Sequence, residues 1–279
     1  MTSRIWFITG ASRGIGLDIA RAALNSGHRV VATSRNKQDV VAALGSHDAL
    51  LALDLDVTRP EQISAAVEAA KNHFGGIDVL VNNAGYGHIG MFEEVTDAEV
   101  RAQFETNVFG LFSVTRAVLP LMRAQRAGHV INLSSVAGFV GFGAASIYCA
   151  SKFAVEGFSL SLAEEVKPFG IHVTLVAPGF IRTDFLDPKS IRGSKPSVAD
   201  YAEASAKVLS TFDQYNHQQP GDPARLAEAV LQLADSQPPP LRYAGGSDAV
   251  QMVEGRLAQL SEELNALRAL SQSVDGQWS

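Results

Sequence analysis

Short apolar runs recur along the chain and stop abruptly at small or polar residues, with amphipathic stretches of helical period between them. Ile5-Trp6-Phe7-Ile8 is apolar at every position, the pattern of a strand buried on both faces, and it stops at Thr9-Gly10. Similar runs at Arg29 to Thr33, Leu50 to Leu55, Ile77 to Val81, His129 to Leu133 and Ile171 to Val176 predict five more strands, and Leu241-Arg242-Tyr243 before Gly245-Gly246 a seventh. Helices are predicted behind Gly16 to near Gly27, and over Pro60 to Phe74 with Pro at its start and Gly75-Gly76 after its end. A long one is predicted from Glu99 to Arg126, one starts near Tyr148, and one follows the Asp222-Pro223 cap and stops before Gln237-Pro238-Pro239-Pro240.

Strands alternating with helices predict right-handed βαβ units in one parallel sheet, with ligands at the carboxyl edges of the strands. Gly10, Arg35, Asp56, Asn83, Ser135 and Pro178 all fall at those edges. Thr9-Gly10-Ala11-Ser12-Arg13-Gly14-Ile15-Gly16 is a glycine-rich turn between a strand and a helix, where the backbone can approach a pyrophosphate and the helix N-terminus offers free N–H groups. The fold class is therefore α/β, a Rossmann-type doubly wound three-layer sandwich with a seven-stranded parallel sheet. The second strand ends in Ser34-Arg35 with no acid, and Arg13 should face the same corner, so two guanidinium groups favour the 2′-phosphate of NADP(H) over NAD(H). The alternative is that both are solvated surface arginines. Asp54 and Asp56 share one face of the third strand and resemble a catalytic pair, but Asp56 is better read as accepting from the adenine amino group. Asn82 and Asn83 can tie neighbouring strands, and Gly85 lets backbone approach the cofactor. Asn107, amid Val108-Phe109-Gly110-Leu111-Phe112, marks a kink or a polar site.

Composition narrows the function classes. At 279 residues the chain can form a single domain, 1-279, with a polar, aromatic-dotted lid segment at about 184-221 and a C-terminal helical extension at about 247-271. A net charge of -6 offers nothing to nucleic acid or to an anionic membrane, and no apolar run is long enough to span one. The single Cys149 excludes an internal disulfide and points to a reducing, cytoplasmic setting; the seven scattered histidines predict no metal site. Within the extension, Val250, Val253, Leu257, Leu260, Leu264 and Leu267 step by three and four, a stripe that should pack on its own body or on a partner chain, with fraying from Ser271.

Tyr148 and Lys152 are four apart, which on a helix sets phenol and ammonium on one face. Alone, the spacing is equally that of an ordinary half-exposed face. With Asp56-Val57, Asn82 to Gly85, Asn107, Ser135 and Pro178-Gly179 with Thr183 in the same order, the chain resembles the classical short-chain dehydrogenase/reductase family over residues 4 to about 187, and more loosely its 17β-hydroxysteroid and retinol dehydrogenase-like subgroup. The resemblance implies an oxidoreductase that moves a hydride between a nicotinamide and a carbonyl or alcohol carbon. Tyr148 would be the acid/base, Ser135 would hydrogen-bond the reacting oxygen, Lys152 would lower the tyrosine pKa and hold the ribose, and Asn107 would position a water. Cofactor contacts would come from Gly10, Ser12, Arg13, Gly14, Ile15, Gly16, Arg35, Asp56, Val57, Asn83, Ala84, Gly85, Tyr148, Lys152, Pro178, Gly179, Ile181 and Thr183. A homodimer or homotetramer packed through the helices carrying Asn107 and Tyr148 is also implied. Around the open side of the nicotinamide, His88, Phe142, Phe180 and Phe185, with Tyr86, Met91, Phe92 and Phe139, would form an apolar pocket for a hydrophobic ketone, aldehyde or alcohol. Gly157-Phe158-Ser159-Leu160-Ser161 lacks the final glycine of a hydrolase elbow, and a non-redox dehalogenase would lack Lys152 and the dinucleotide turn; a silent NADP(H)-binding sensor remains the rival.

Overall fold

The computed structural model describes residues 3–187 and 190–276. Its strands are β1 (Ile5–Ile8), β2 (Arg29–Ser34), β3 (Leu50–Asp54), β4 (Val79–Asn82), β5 (His88–Ile89), β6 (Gly128–Leu133), β7 (Ile171–Pro178), β8 (Arg192–Gly193) and β9 (Arg242–Gly245). Seven of them form one sheet in the order β3-β2-β1-β4-β6-β7-β9, every pair parallel. This is the doubly wound sheet expected from the alternation, with the order reversing between β1 and β4. The helices are α1 (Gly14–Asn25), α2 (Lys37–Leu44), α3 (Pro60–Phe74), α4 (Asp97–Phe104), α5 (Leu111–Gln125), α6 (Ser146–Val166), α7 (Ala202–Tyr215), α8 (Pro223–Asp235) and α9 (Ser247–Gln272).

Strand alternation sorts the core into two layers, one on each face of the sheet. Trp6, Ile8, Val79 and Val81 meet Ile19, Ala23, Leu226 and Val230 of α1 and α8. Phe7 and Leu80 meet Ile63, Val114, Met122 and Leu162 of α3, α5 and α6. Because both faces are covered, the central strands β1 and β4 are apolar up to their carboxyl ends, whereas β6 and β7 also bury His129 and Thr174, which bond one another at 2.8 Å.

Three departures from the sequence expectations have physical causes. The helix expected over Glu99 to Arg126 is divided: α4, opened by a Thr96/Glu99 capping box, and α5 are joined by a π-helical turn at Glu105–Gly110 that contains Asn107. The polar residue in the apolar run thus marks a local widening of the helix. The region of the expected lid contains β8, paired with β5 in a two-stranded sheet, and α7; its residues 188 and 189 lie outside the described residues. In the last helix, Ser247–Gln272, Val250, Leu257, Leu260, Leu264 and Leu267 are exposed, so of the two packings expected for the stripe the one on its own body is not made. Among the described residues no helix is long and apolar enough to cross a membrane.

Candidate active site

At the carboxyl edge of the sheet opens a cleft of about 1080 Å³. One end is built by the turn after β1. Asn83, at the end of β4, donates its side-chain amide to the carbonyls of Thr9 (2.9 Å) and Gly10 (3.0 Å), while Thr9 Oγ1 accepts from the N–H groups of Asn83 and Ala84. This stitch holds the turn against β4. A Cβ at Gly16 would run into the Asn83 amide, so only glycine fits there. Asn82 does the tying of strands: its amide donates to Asn132 Oδ1 at 2.8 Å and to Thr115 Oγ1 at 2.9 Å.

Arg13, the N-cap of α1, makes no side-chain cap, and the first turn holds no acid. Its N–H groups and the positive end of the helix are therefore left for an anion at Ser12 to Ile15, which all line the cleft, and this donor set fits a dinucleotide pyrophosphate. Arg13, Arg35, Asn36, Asp39 and Asp56 all line the cleft, and the charge of Arg35 reaches Asp56. Burial pushes the Asp56 carboxyl up, but hydrogen bonds from Thr58 N–H and Oγ1 and the charges of Arg35 and Arg59 outweigh it and hold the pKa below the ordinary value. Asp54 turns away to accept from the backbone N–H of Lys37, so the two aspartates are not a catalytic pair.

The opposite wall carries Ser135, Tyr148 and Lys152. Ser135 follows β6; Tyr148 and Lys152 lie one turn apart on α6. Lys152 Nζ donates to the Leu133 carbonyl at 2.7 Å and lies 5.8 Å from the centre of the Tyr148 ring. Burial pushes the lysine pKa down to about 8, opposed by the buried Glu156 one turn further on. Burial likewise pushes the Tyr148 phenol up to about 12, with a hydrogen bond to Ser135 pulling the other way. Desolvation dominates the phenol in the ligand-free protein, and the Lys152 charge is not among the causes of its shift.

Of the remaining expected site residues, Val57, Ala84, Gly85, Pro178, Gly179, Ile181, Thr183, Phe142, Phe180 and Phe185 line the cleft. Asn107 does not: its Nδ2 donates to the Tyr86 carbonyl (3.0 Å) and to Ser151 Oγ (3.3 Å), and its Oδ1 accepts from Tyr86 N–H. Nor does His88, which is 1 % exposed and faces Glu99 at 3.6 Å and Ser194 at 3.4 Å. The pleat of β5 sends Ile89 into the cleft and its neighbour away. Met91, Phe92 and Phe139 also lie off the wall, Phe92 being 68 % exposed.

Three wall or support residues were not legible in the pattern. Asp248, in the first turn of α9, accepts from Phe180 N–H at 2.7 Å. Arg192 stacks on Tyr86, 4.2 Å from the ring centre. Gln219 lines the cleft at 1 % exposure, and its amide oxygen and nitrogen find no partner among the described residues. Asp184, Asp187 and His217 bring ligand-type atoms within 4.8 Å of one another, and a 3.0 Å contact of Asp187 Oδ1 with His217 Nε2 joins two of the three.

The chain is similar to proteins that share this architecture. Oxidoreductase BOA17 of Botryotinia fuckeliana (strain B05.10) is 38% identical over 96% of this chain and 98% of its own. A short-chain dehydrogenase from Streptomyces avermitilis superposes with a TM-score of 0.88 at 39% identity, covering 99% of this chain and 100% of that one. A 3-ketoacyl-(acyl-carrier-protein) reductase from Brucella melitensis, solved with NADH, gives 0.72 at 28% identity over 88% of this chain and 98% of its own. The family model for short chain dehydrogenase matches residues 4–192, and the chain belongs to that family of oxidoreductases.

Proposed function

We propose that the chain is an NADP(H)-dependent oxidoreductase that interconverts a hydrophobic ketone or aldehyde and its alcohol. The observation that carries this reading is one cleft lined by Arg13 and Arg35, the glycine turn and Ser135, Tyr148 and Lys152. A bound nicotinamide dinucleotide supplies or takes up the hydride. Its pyrophosphate would rest on the N–H groups of the turn, and a 2′-phosphate would pair with Arg13 and Arg35. In the reductive direction Tyr148, protonated well beyond neutral pH, hands its phenolic proton to the carbonyl oxygen. Ser135 Oγ accepts from Ala137 N–H, and its own proton, given to the Tyr148 phenol oxygen in the ligand-free protein, would turn to that same carbonyl oxygen when substrate is bound.

Lys152 gives one hydrogen bond to Leu133, and its two other donors are available to ribose hydroxyls. Its charge favours the phenolate that remains after transfer. Asn107 has both amide hydrogens committed, so its contribution is to fix the Tyr86 segment and the π-helical turn rather than to grip a water by its side chain. Phe142, Phe180, Phe185, Ile89, Ile191 and Phe212 supply the apolar surface for the substrate. Phe109 and Phe153, exposed at 50% and 47%, support a homodimer packed through the helices that carry Asn107 and Tyr148.

The test is NADPH oxidation with a panel of aromatic and aliphatic carbonyls, comparing wild type with Tyr148→Phe. Turnover that falls by about two orders of magnitude or more in the variant supports the acid role. Absence of turnover on the whole panel, with NADPH bound tightly, would make the protein a sensor instead.

A further inference from the structure

We propose that α9 pairs with α9 of a second copy of this chain, antiparallel, along its leucine stripe. At 26 residues the helix is about 39 Å long. Its start is held by the body: Asp248 bonds Phe180 N–H and Ala249 is fully buried. Beyond that turn Val250, Leu257, Leu260, Leu264 and Leu267 are exposed at 43, 58, 43, 57 and 56%. Single exposed leucines are ordinary, but a continuous row is not. With Val253 they occupy alternating steps of three and four, the seam of a two-helix coil.

The charges flanking the stripe say what covers it. The helix carries Asp248, Glu254, Glu262 and Glu263 against Arg256 and Arg268, a net negative face unsuited to an anionic lipid surface. The same charges are complementary to themselves. In an antiparallel pair centred between Leu257 and Leu260, Val250 layers with the partner's Leu267, Val253 with the partner's Leu264, and Leu257 with the partner's Leu260, each twice by the two-fold. Arg256 and Glu263 lie along one edge of the stripe, 3.6 Å apart within the chain. The antiparallel register sets Arg256 against the partner's Glu263 at both ends, and Glu254 against the partner's uncharged Ser261. A parallel pair would instead crowd two bodies together at the Val250 end, where the helix already touches its own. The inference stands apart from the proposed reaction, although Asp248 joins the seam to the Pro178–Phe180 wall of the cleft.

The experiment is mass by size-exclusion chromatography with light scattering on the full chain at about 10 µM and above. Leu257→Lys with Leu264→Lys should halve the assembly mass while circular dichroism and thermal unfolding of the body stay unchanged, since both side chains are exposed. Arg256→Glu should weaken assembly roughly tenfold, and adding Glu263→Arg should restore it. Spin labels on Gln272→Cys, with Cys149 buried, should sit about 40 Å apart in the antiparallel pair. An unchanged mass in the double lysine variant overturns the proposal, as does a label separation below about 20 Å. A monomeric wild type that sediments with phosphatidylcholine/phosphatidylglycerol vesicles, where the double variant does not, overturns it in favour of lipid.

Discussion

The Asp248 carboxylate accepts a 2.7 Å hydrogen bond from the backbone N–H of Phe180, so a helix near the end of the chain fixes the cleft wall that follows β7. Gly179 sits under the same carboxylate, where a Cβ would run into it. Asp248→Ala leaves a backbone donor without its charged acceptor, a loss of about 1.5–3 kcal/mol for a bond of this type. The expected outcome is a lower unfolding temperature and a raised KM for the dinucleotide, with Asp248→Asn intermediate. Thermal unfolding and steady-state kinetics on the two variants check it. Equal behaviour of Ala and wild type would mean that the loop is held elsewhere.

Lys152 sets a pH dependence whose sign is fixed by burial. Its folded-state pKa, about 8, lies below the ordinary lysine value, so the unfolded chain holds a proton that the folded protein has lost between about pH 8 and 10.4. The lysine therefore costs stability below pH 8, and the cost is relieved as pH rises through that window. Lys152→Met should raise the stability of the ligand-free protein at pH 7 by about 1–2 kcal/mol while abolishing activity, and the gain should shrink above pH 8. Urea unfolding of both proteins at pH 7 and pH 9.5 measures this. Tyr148, at about 12, contributes with the opposite sign: its stability is present below about pH 10 and is lost as pH rises towards 12.

The fold could be read from the sequence because buried parallel strands leave a continuous apolar run, and several runs are followed at once by a small or polar residue that lines the cleft. Gly10, Asn83 and Ser135 were visible for that reason. His88 was misplaced because an apolar neighbourhood does not say which way a two-residue strand is pleated, and that phase put Ile89 on the wall. Asp248 and Gln219 carried no local signal. Their significance comes from contacts with Phe180 and the cleft, 68 residues and a crossover away in the first case. For Tyr148, spacing supplies the neighbouring cation but not the depth at which both groups lie, and burial is the first cause of its raised pKa.

The Arg13/Arg35 corner makes a cofactor prediction that thermal shifts can check. Saturating NADP should raise the unfolding temperature more than NAD at the same concentration. Arg35→Ala should raise the KM for NADPH roughly ten- to a hundredfold, as the loss of a charge-assisted pair implies, with little change for NADH. Asp39, which lines the cleft with Arg35 and accepts from Asn36 Nδ2 at 3.1 Å, is a carboxylate that opposes a 2′-phosphate there. Asp39→Asn should therefore tighten NADPH. A larger stabilisation by NAD would assign the two arginines to the solvated surface.

Gln219 offers the most local test of what enters the cleft. Its side chain is 1 % exposed, lines the cavity, and leaves both amide atoms without partners among the described residues, whereas its own carbonyl is used by Arg182 Nε at 3.0 Å. An unpaired buried amide costs about 1–3 kcal/mol, which a ligand or an ordered water bonding it in the cleft would offset. Gln219→Met preserves the volume and removes the polar atoms. The ligand-free variant should be about 1 kcal/mol more stable than wild type, and the extra stabilisation that wild type gains from dinucleotide or substrate should fall by a similar amount. Measured by thermal shift with and without NADP and each active carbonyl, the ligand whose effect is lost is the one that meets the amide. If the variant is destabilised in the ligand-free state, the amide is already satisfied in solution, and Gln219 is part of the framework of the cleft rather than of its recognition surface.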